Sequence, residues 1–369
     1  MGRISIARKN LFQDRRRATL SIAGVSAALV LILVLDGIFA GAMQQVTAYI
    51  RSSPADVFVA QRDVTTMHMT TSALAPSLVD EVRAIDGVDW ADGLHYTTSS
   101  VDVGNNSLLT YVLGYDTATG RGGPRNLASG QPPTDGQALV DSVAAGELGV
   151  DIGDKVNILG YPFVISGLST DGTYIANTTV FITSDDFAAL RGPTYAYILV
   201  GAQVGMSPED LQQRLAIAMP DTTVMTRTEF AKQEANVVRT MAADVMAIMS
   251  VIGFLIALAL VGLTLFTATV AKQREYGIIK AIGAGRGRLT IIVLAQATWT
   301  IILALALAII LTSLIGVAID ALTPNLIVVI ELGSIARTTI SAFVVGAISS
   351  VLPLRRISRI DPSTSFRMA

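Results

Sequence analysis

The chain has 369 residues, of which 51% are hydrophobic and only 15% charged, where an ordinary soluble domain carries roughly a quarter charged, so the apolar residues must cluster in membrane spans and a soluble globular protein is excluded. With no cysteine there is neither a disulfide nor a thiolate site, and two histidines, His68 and His95, are too few for a histidine-based metal centre. The formal charge of −2 hides a basic surplus at both termini and in one loop, set against an acidic surplus between residues 45 and 240.

Residues 1–17 form a basic N-terminal segment with Arg3, Arg8, Lys9, Arg15, Arg16 and Arg17. The apolar run from Ala18 to Met43 follows, interrupted by one charge, Asp36; a run of this length spans a bilayer, and the first span is read as residues 18–44. Ala40-Gly41-Ala42 imitates a signal-peptidase site, but the apolar core exceeds the roughly 7–15 residues of a cleaved signal, so the span is expected to be retained. Gln44 to Ile50 should extend the helix outward.

Residues 45–240 are long enough to fold around their own core. Asp56–Gln61, Ser107–Tyr115, Lys155–Leu159, Phe163–Leu168, Thr179–Ile182 and Tyr195–Val200 are rich in β-branched and aromatic residues and read as strands. Helix starts are signalled by Ser207-Pro208-Glu209-Asp210 and, more weakly, by Ser77 with Asp80. Thr226 and Glu229 have capping-box spacing and open a run without glycine or proline until Gly253. A stalk helix continuous with the second span is therefore predicted. The acids of this domain are scattered, Gly120–Pro124 reads as a turn, and no residue is assigned a catalytic or metal-binding role.

The second span is placed within residues 241–271, with an uncharged run from Val245 to Ala271. Residues 272–288 form a basic loop carrying Lys272, Arg274, Lys280, Arg286 and Arg288. The third span, 289–319, is uncharged and longer than a bilayer needs, so it should tilt or protrude. A short loop, 320–333, leads to the fourth span, 334–354, with Arg337 near its outer end, and the tail 355–369 holds Arg355, Arg356, Arg359 and Arg367. Since short loops rich in lysine and arginine stay inside, both termini and the 272–288 loop are expected in the cytoplasm of a bacterial cell, and 45–240 outside its inner membrane. The fold class is thus α-helical membrane protein with four transmembrane helices, plus an α+β extracytoplasmic domain inserted between the first and second.

In the 272–288 loop, Ile278, Ile279 and Ile282 share one face of a short helix ended by Gly283 and Gly285. Such a helix can lie on the membrane surface or insert into a groove of a cytoplasmic partner. No G-K-[ST] phosphate loop occurs in the chain, so any ATP used must be bound by another subunit.

Arg274-Glu-Tyr-Gly-Ile-Ile-Lys-Ala-Ile-Gly-Ala284 resembles the "R-E-x-G-I-x-x-A-I-G-A" signature of FtsX/MacB-type ABC transporter permeases. Ile4–Gly24 resembles the N-terminus of that family, and Leu352–Pro362 with Ser365-Phe-Arg367 its closing segment. Within the family, Asp36-Gly37, Ser53–Gln61, Gly122-Gly123-Pro124 and Val150–Asp154 are most similar to DevC and haem-exporter permeases. The resemblance implies a homodimer on two copies of a cytoplasmic ABC ATPase that binds ATP and magnesium, in membrane lipid and with no nucleic-acid partner. It also implies an ATPase-coupling role for Glu275, Gly277, Ile278, Ile279, Ala281, Ile282 and Gly283.

An acid inside a span is by default a functional-site hypothesis. If the first two spans line the dimer axis, as the resemblance implies, Asp36, Phe39 and Met43 would converge with Met241, Asp244, Met246 and Met249. Gly37 and Gly41, in GxxxG spacing, would permit close helix approach. The expected result is a pliable outer-leaflet pocket for a hydrophobic or amphipathic compound, with haem as one candidate cargo and a carboxylate as its axial ligand. The alternative is a mechanotransmitting regulator of cell-wall hydrolases or of antibiotic-peptide sensing.

Overall fold

The computed structural model describes residues 15–170, 178–271, 286–323 and 326–351. In chain order its elements are α1 (Arg15–Ser52), β1 (Val57–Gln61), α2 (Ser77–Arg83), β2 (Val88–Val103), β3 (Asn106–Tyr115), β4 (Asn126–Gly130), β5 (Gln137–Asp141), α3 (Ser142–Leu148) and β6 (Lys155–Ile158). There follow β7 (Tyr161–Thr170), β8 (Thr178–Thr183), α4 (Ser184–Arg191), β9 (Tyr197–Ala202), α5 (Pro208–Ala218), β10 (Thr222–Thr226), α6 (Arg227–Ala271), α7 (Arg286–Leu322) and α8 (Leu332–Ser349). The chain divides into a helical unit, up to Gly41 and from Ala242 onward apart from a short piece ending at Leu326, and an inserted unit, Ala42–Met241 with that piece.

In the helical unit, α1, α6, α7 and α8 are each long and apolar enough to cross a membrane. Their shared core joins Val25, Leu29 and Leu33 of α1 to Ala257 and Val261 of α6, Ala297, Ile301, Ala304 and Ala308 of α7, and Ala342 and Val345 of α8. Alanines at helical spacing on α7 let backbones approach, which is how spans gain contact where lipid offers no hydrophobic drive. The Ser349 hydroxyl donates to the Leu258 carbonyl at 3.1 Å, tying α8 to α6. Large apolar residues such as Ile248, Ile252 and Leu255 of α6 and Leu314 and Val317 of α7 remain exposed.

The inserted unit is built on a ten-stranded sheet in the order β10-β1-β9-β2-β3-β8-β5-β7-β4, with β6 pairing β2 and β7. In β1 the side chains alternate between two cores. Val57 and Val59 pack with Val79 and Val82 of α2 and Leu211 and Leu215 of α5, while Phe58 and Ala60 join Tyr197, Phe230 and Ile50 on the opposite face. The long strand β2 changes partner midway: Val88–Leu94 pairs with β9, and His95–Val103 with β3. A second lobe therefore begins at His95, with its own core of Val112, Val140, Ile158, Ile165 and Phe187.

The six predicted strands appear as β1, β3, β6, β7, β8 and β9, with ends moved by a few residues. Four more carry weak sequence signals. The second half of β2 reads Thr97-Thr98-Ser99-Ser100, and β4 is exposed throughout, so neither shows an apolar alternation; β5 and β10 are only five residues long. The Ser207 hydroxyl accepts from the Asp210 amide at 3.1 Å as the helix-start pattern requires. Thr226 likewise accepts from the Glu229 amide at 3.2 Å, although the Glu229 carboxylate is engaged by Gln212 at 2.7 Å. The Ser77 prediction is corrected: the N-cap of α2 is Pro76, without a side-chain cap hydrogen bond, and Ser77 already lies inside the helix. α1 and α6 run unbroken for 38 and 45 residues.

Candidate functional site

Within the helical unit, α1, α6 and α8 enclose a cavity of about 350 Å³ lined by Leu29, Ile32, Asp36, Phe254, Arg337 and Ala342 among others. One guanidinium nitrogen of Arg337 donates to Asp36 Oδ2 at 3.0 Å and to Ser334 Oγ at 3.0 Å. The two charges, read separately from the sequence, are thus one pair. The reason is energetic: an ion in a span is tolerated only with a counter-charge or water, and α8 supplies the cation at the level where α1 carries the acid. Asp36 is largely covered at 16% side-chain exposure, while Arg337 is 70% exposed, so the guanidinium keeps donors for another anion. The rest of the lining is mostly aliphatic and aromatic. Chemically the cavity presents an apolar slot with a cation at its rim, an arrangement suited to an amphiphile.

Of the seven residues expected to converge, only Asp36 lines this cavity. Phe39 and Met246 are half-buried, and Met241, Asp244 and Met249 are exposed. Met43 borders a different cleft, in the inserted unit. The predicted convergence lies across a dimer axis, whereas the lining of this cavity within one copy comes from Phe254 and the aliphatic residues of α1, α6 and α8. Arg337 could have been matched to Asp36, since a charge within a span calls for a counter-charge.

Among the described residues of one copy, no helix packs on Gly37 and Gly41. They receive the irregular segment 326–331: the Val329 amide donates to the Gly37 carbonyl at 2.9 Å. A Cβ on Gly41 would lie 1.9 Å from the Ile327 carbonyl oxygen, and one on Gly37 2.7 Å from Val328 Cγ1. The coupling residues Glu275, Gly277, Ile278, Ile279, Ala281, Ile282 and Gly283 lie outside the described residues.

Among the described residues, the inserted unit holds a buried polar constellation around Glu234 that sequence reasoning missed. Glu234 of α6, 1% exposed, accepts from the Met67 amide at 2.5 Å and pairs with His68 Nδ1 at 2.8 Å. His68 in turn packs edge-on against Tyr111, with ring centroids 4.6 Å apart. Nearby, the Tyr197 hydroxyl donates to the Thr66 carbonyl, and burial, followed by the Glu234 charge, raises its pKa. These contacts bind the 66–68 stretch to α6 through Glu234 and to β9 through Tyr197. At the junction of the two lobes, His95 Nδ1 donates to the Thr194 carbonyl at 2.9 Å, leaving Nε2 to accept from Ser184 Oγ at 3.1 Å. Its ring stacks on Phe187 at 4.7 Å. Among the described residues no cluster of three or more potential metal ligands occurs.

Four helices long and apolar enough to cross a membrane, with an α+β domain inserted between the first and second, define a multi-pass membrane protein. A family model for the MacB-like periplasmic core domain matches residues 18–218, and one for the FtsX-like permease C-terminal region matches residues 247–362. The chain belongs to the FtsX/MacB family of ABC transporter permeases. As such it is the non-catalytic membrane subunit that works with an ABC ATPase. It is 22% identical over 356 residues to an uncharacterized ABC transporter permease of Mycobacterium bovis, covering 95% of this chain and 96% of that one. It is also 23% identical over 357 residues to an uncharacterized ABC transporter permease of Mycobacterium tuberculosis, with the same coverage of 95% and 96%. Among solved structures, the periplasmic region of MacB from Actinobacillus actinomycetemcomitans aligns at 14% identity and a TM-score of 0.39, over 50% of this chain and 94% of that chain. The extracellular domain of YknZ from Gram-positive bacteria aligns at 12% identity and 0.37, over 46% and 98%.

Proposed function

We propose that this permease, as a homodimer with two ATPase copies, uses ATP hydrolysed by its partner to extrude an amphipathic compound from the bacterial inner membrane. The observation that carries this reading is the apolar cavity of about 350 Å³ with the Asp36–Arg337 pair in its lining. Such a slot favours a cargo with an apolar body and an acidic group, which Arg337 would take over from Asp36. Haem falls within that class, with its carboxylates meeting Arg337; coordination of its iron by Asp36 would first require the ion pair to open. The exposed apolar face of α6, with Ile248, Met249, Ile252 and Leu255, suits a contact between two copies. Both termini and the 272–288 loop would face the cytoplasm by their basic residues, and the loop would carry the ATPase stroke into α6.

The regulator reading draws on a different observation, the unbroken α6 whose Glu234 grips the inserted domain. A transporter and a mechanotransmitter both need that helix, but only a transporter needs the cavity. The complex of this chain with its ATPase, reconstituted in liposomes, is therefore screened for ATP hydrolysis against haem, anionic lipids, peptides and drugs. An amphiphile that stimulates the wild type should lose at least about tenfold in potency with Asp36→Asn or Arg337→Gln, the loss expected for removing one partner of a poorly solvated charge contact. Stimulation that survives both substitutions unchanged would dismiss the cavity as the cargo site.

A further inference from the structure

The inserted unit contains a second cleft, of about 570 Å³, between the last turns of α1 and the first turns of α6. Four cations line it: Arg51 from α1, and Arg227, Lys232 and Arg239 from α6. No acid is among its lining residues. The two carboxylates of the same stretch of α6 are engaged elsewhere, Glu229 by Gln212 and Glu234 by Met67 and His68. Arg227 donates to the Ser53 carbonyl at 2.9 Å, and Arg239 reaches only the amide oxygen of Asn236 at 3.4 Å. Among the described residues Arg51 and Lys232 have no hydrogen-bond or ion-pair partner.

Four like charges around one concavity repel each other and raise the local potential, which an anion relieves. Guanidinium forks match the oxygens of phosphate two at a time, whereas a lysine acts as a point charge. The cleft is not wholly polar. Met43, Ala231 and Ala235 contribute an apolar side, and Met43 is the residue that closes the apolar run of α1. Its volume falls in the range of sites that take small molecules.

We propose that this cleft binds a phosphate-bearing group, the headgroup of an anionic phospholipid, with the cations on the phosphate and the Met43 side on the first acyl carbons. This site shares no lining residue with the Asp36–Arg337 cavity and does not rest on the export reading.

The test uses the full-length chain in dodecyl maltoside micelles, titrated with fluorescently labelled phosphatidylglycerol and with phosphatidylcholine bearing the same label. Phosphatidylglycerol should bind tighter, and raised ionic strength should erase the preference. Arg51→Gln combined with Lys232→Gln should weaken phosphatidylglycerol binding by about thirtyfold, as expected for two cations that each favour an anionic lipid. The melting temperature should not fall, since neither side chain holds a protein partner and removing two like charges relieves repulsion. Arg51→Lys with Lys232→Arg should retain the preference. Displacement of the label by inorganic phosphate at low millimolar concentration would assign the cleft to a free phosphate ion; no displacement would assign it to the lipid. Equal affinity for the two lipids, a preference that the Gln double variant keeps, or a preference indifferent to salt would each overturn the proposal.

Discussion

His95 shows how one residue can make a fold respond to pH. It sits where β2 leaves β9 for β3, and its ring joins the two lobes through Thr194, Ser184 and Phe187. Burial lowers its pKa from the ordinary 6.5, only partly opposed by the bond to Thr194 and the charge of Asp185. The unfolded chain therefore takes up a proton at a higher pH than the folded one. The stabilisation is complete above pH 6.5 and is lost as the pH falls from there through the folded value. Thermal unfolding of the full chain, followed by tryptophan fluorescence with Trp90 in β2 as one reporter, should show a falling midpoint over this window. His95→Gln should flatten the slope, which for one proton is at most about 1.4 kcal/mol per pH unit. An unchanged slope would mean that the pH dependence lies elsewhere.

At the scale of elements, the glycines of α1 reveal a packing that helix-based reasoning does not anticipate. A backbone amide packed against a helix needs a hydrogen-bond partner, and in residues 326–331 the Val329 amide finds one at the Gly37 carbonyl. The segment comes so close that Gly41 has no room for a methyl group against the Ile327 backbone. Gly41→Ala should consequently cost about 1–3 kcal/mol, since backbone cannot move aside as a flexible side chain can. Gly333→Ala is the control, because a Cβ there meets nothing within 4 Å. Equal melting temperatures for the two variants in detergent would refute the close approach.

For the whole molecule, the proposed function requires a stroke that passes from the partner ATPase into α6. α6 is suited to this because it runs without a break from Arg227 to Ala271 and anchors the 66–68 stretch through Glu234. Placing a charge on the apolar face of the 272–288 loop should sever the first link. Ile282→Asp is expected to reduce copurification of the ATPase by at least about tenfold, the order set by burying an unpaired carboxylate in an apolar groove. Size-exclusion chromatography should show the membrane component unchanged in mass. Full retention of the ATPase would dismiss the loop as the contact.

What the sequence determined by itself is the membrane class, the four spans, the insertion between the first two, and the family. These follow from long apolar runs, whose cost of exposure to water is local and additive, and from contiguous motifs such as Arg274–Ala284. Most strands were legible for the same reason, because period-two burial is written into neighbouring residues. The partner change of β2, the Asp36–Arg337 pair, the burial of Glu234 on His68 and the seat of residues 326–331 on Gly37 and Gly41 were decided only in the tertiary structure. Each joins residues far apart in the chain, so no local pattern encodes it. Within one copy the cavity is accordingly organised around an ion pair between the first and fourth spans, because a charge within a span is settled by the counter-charge that packing brings to it.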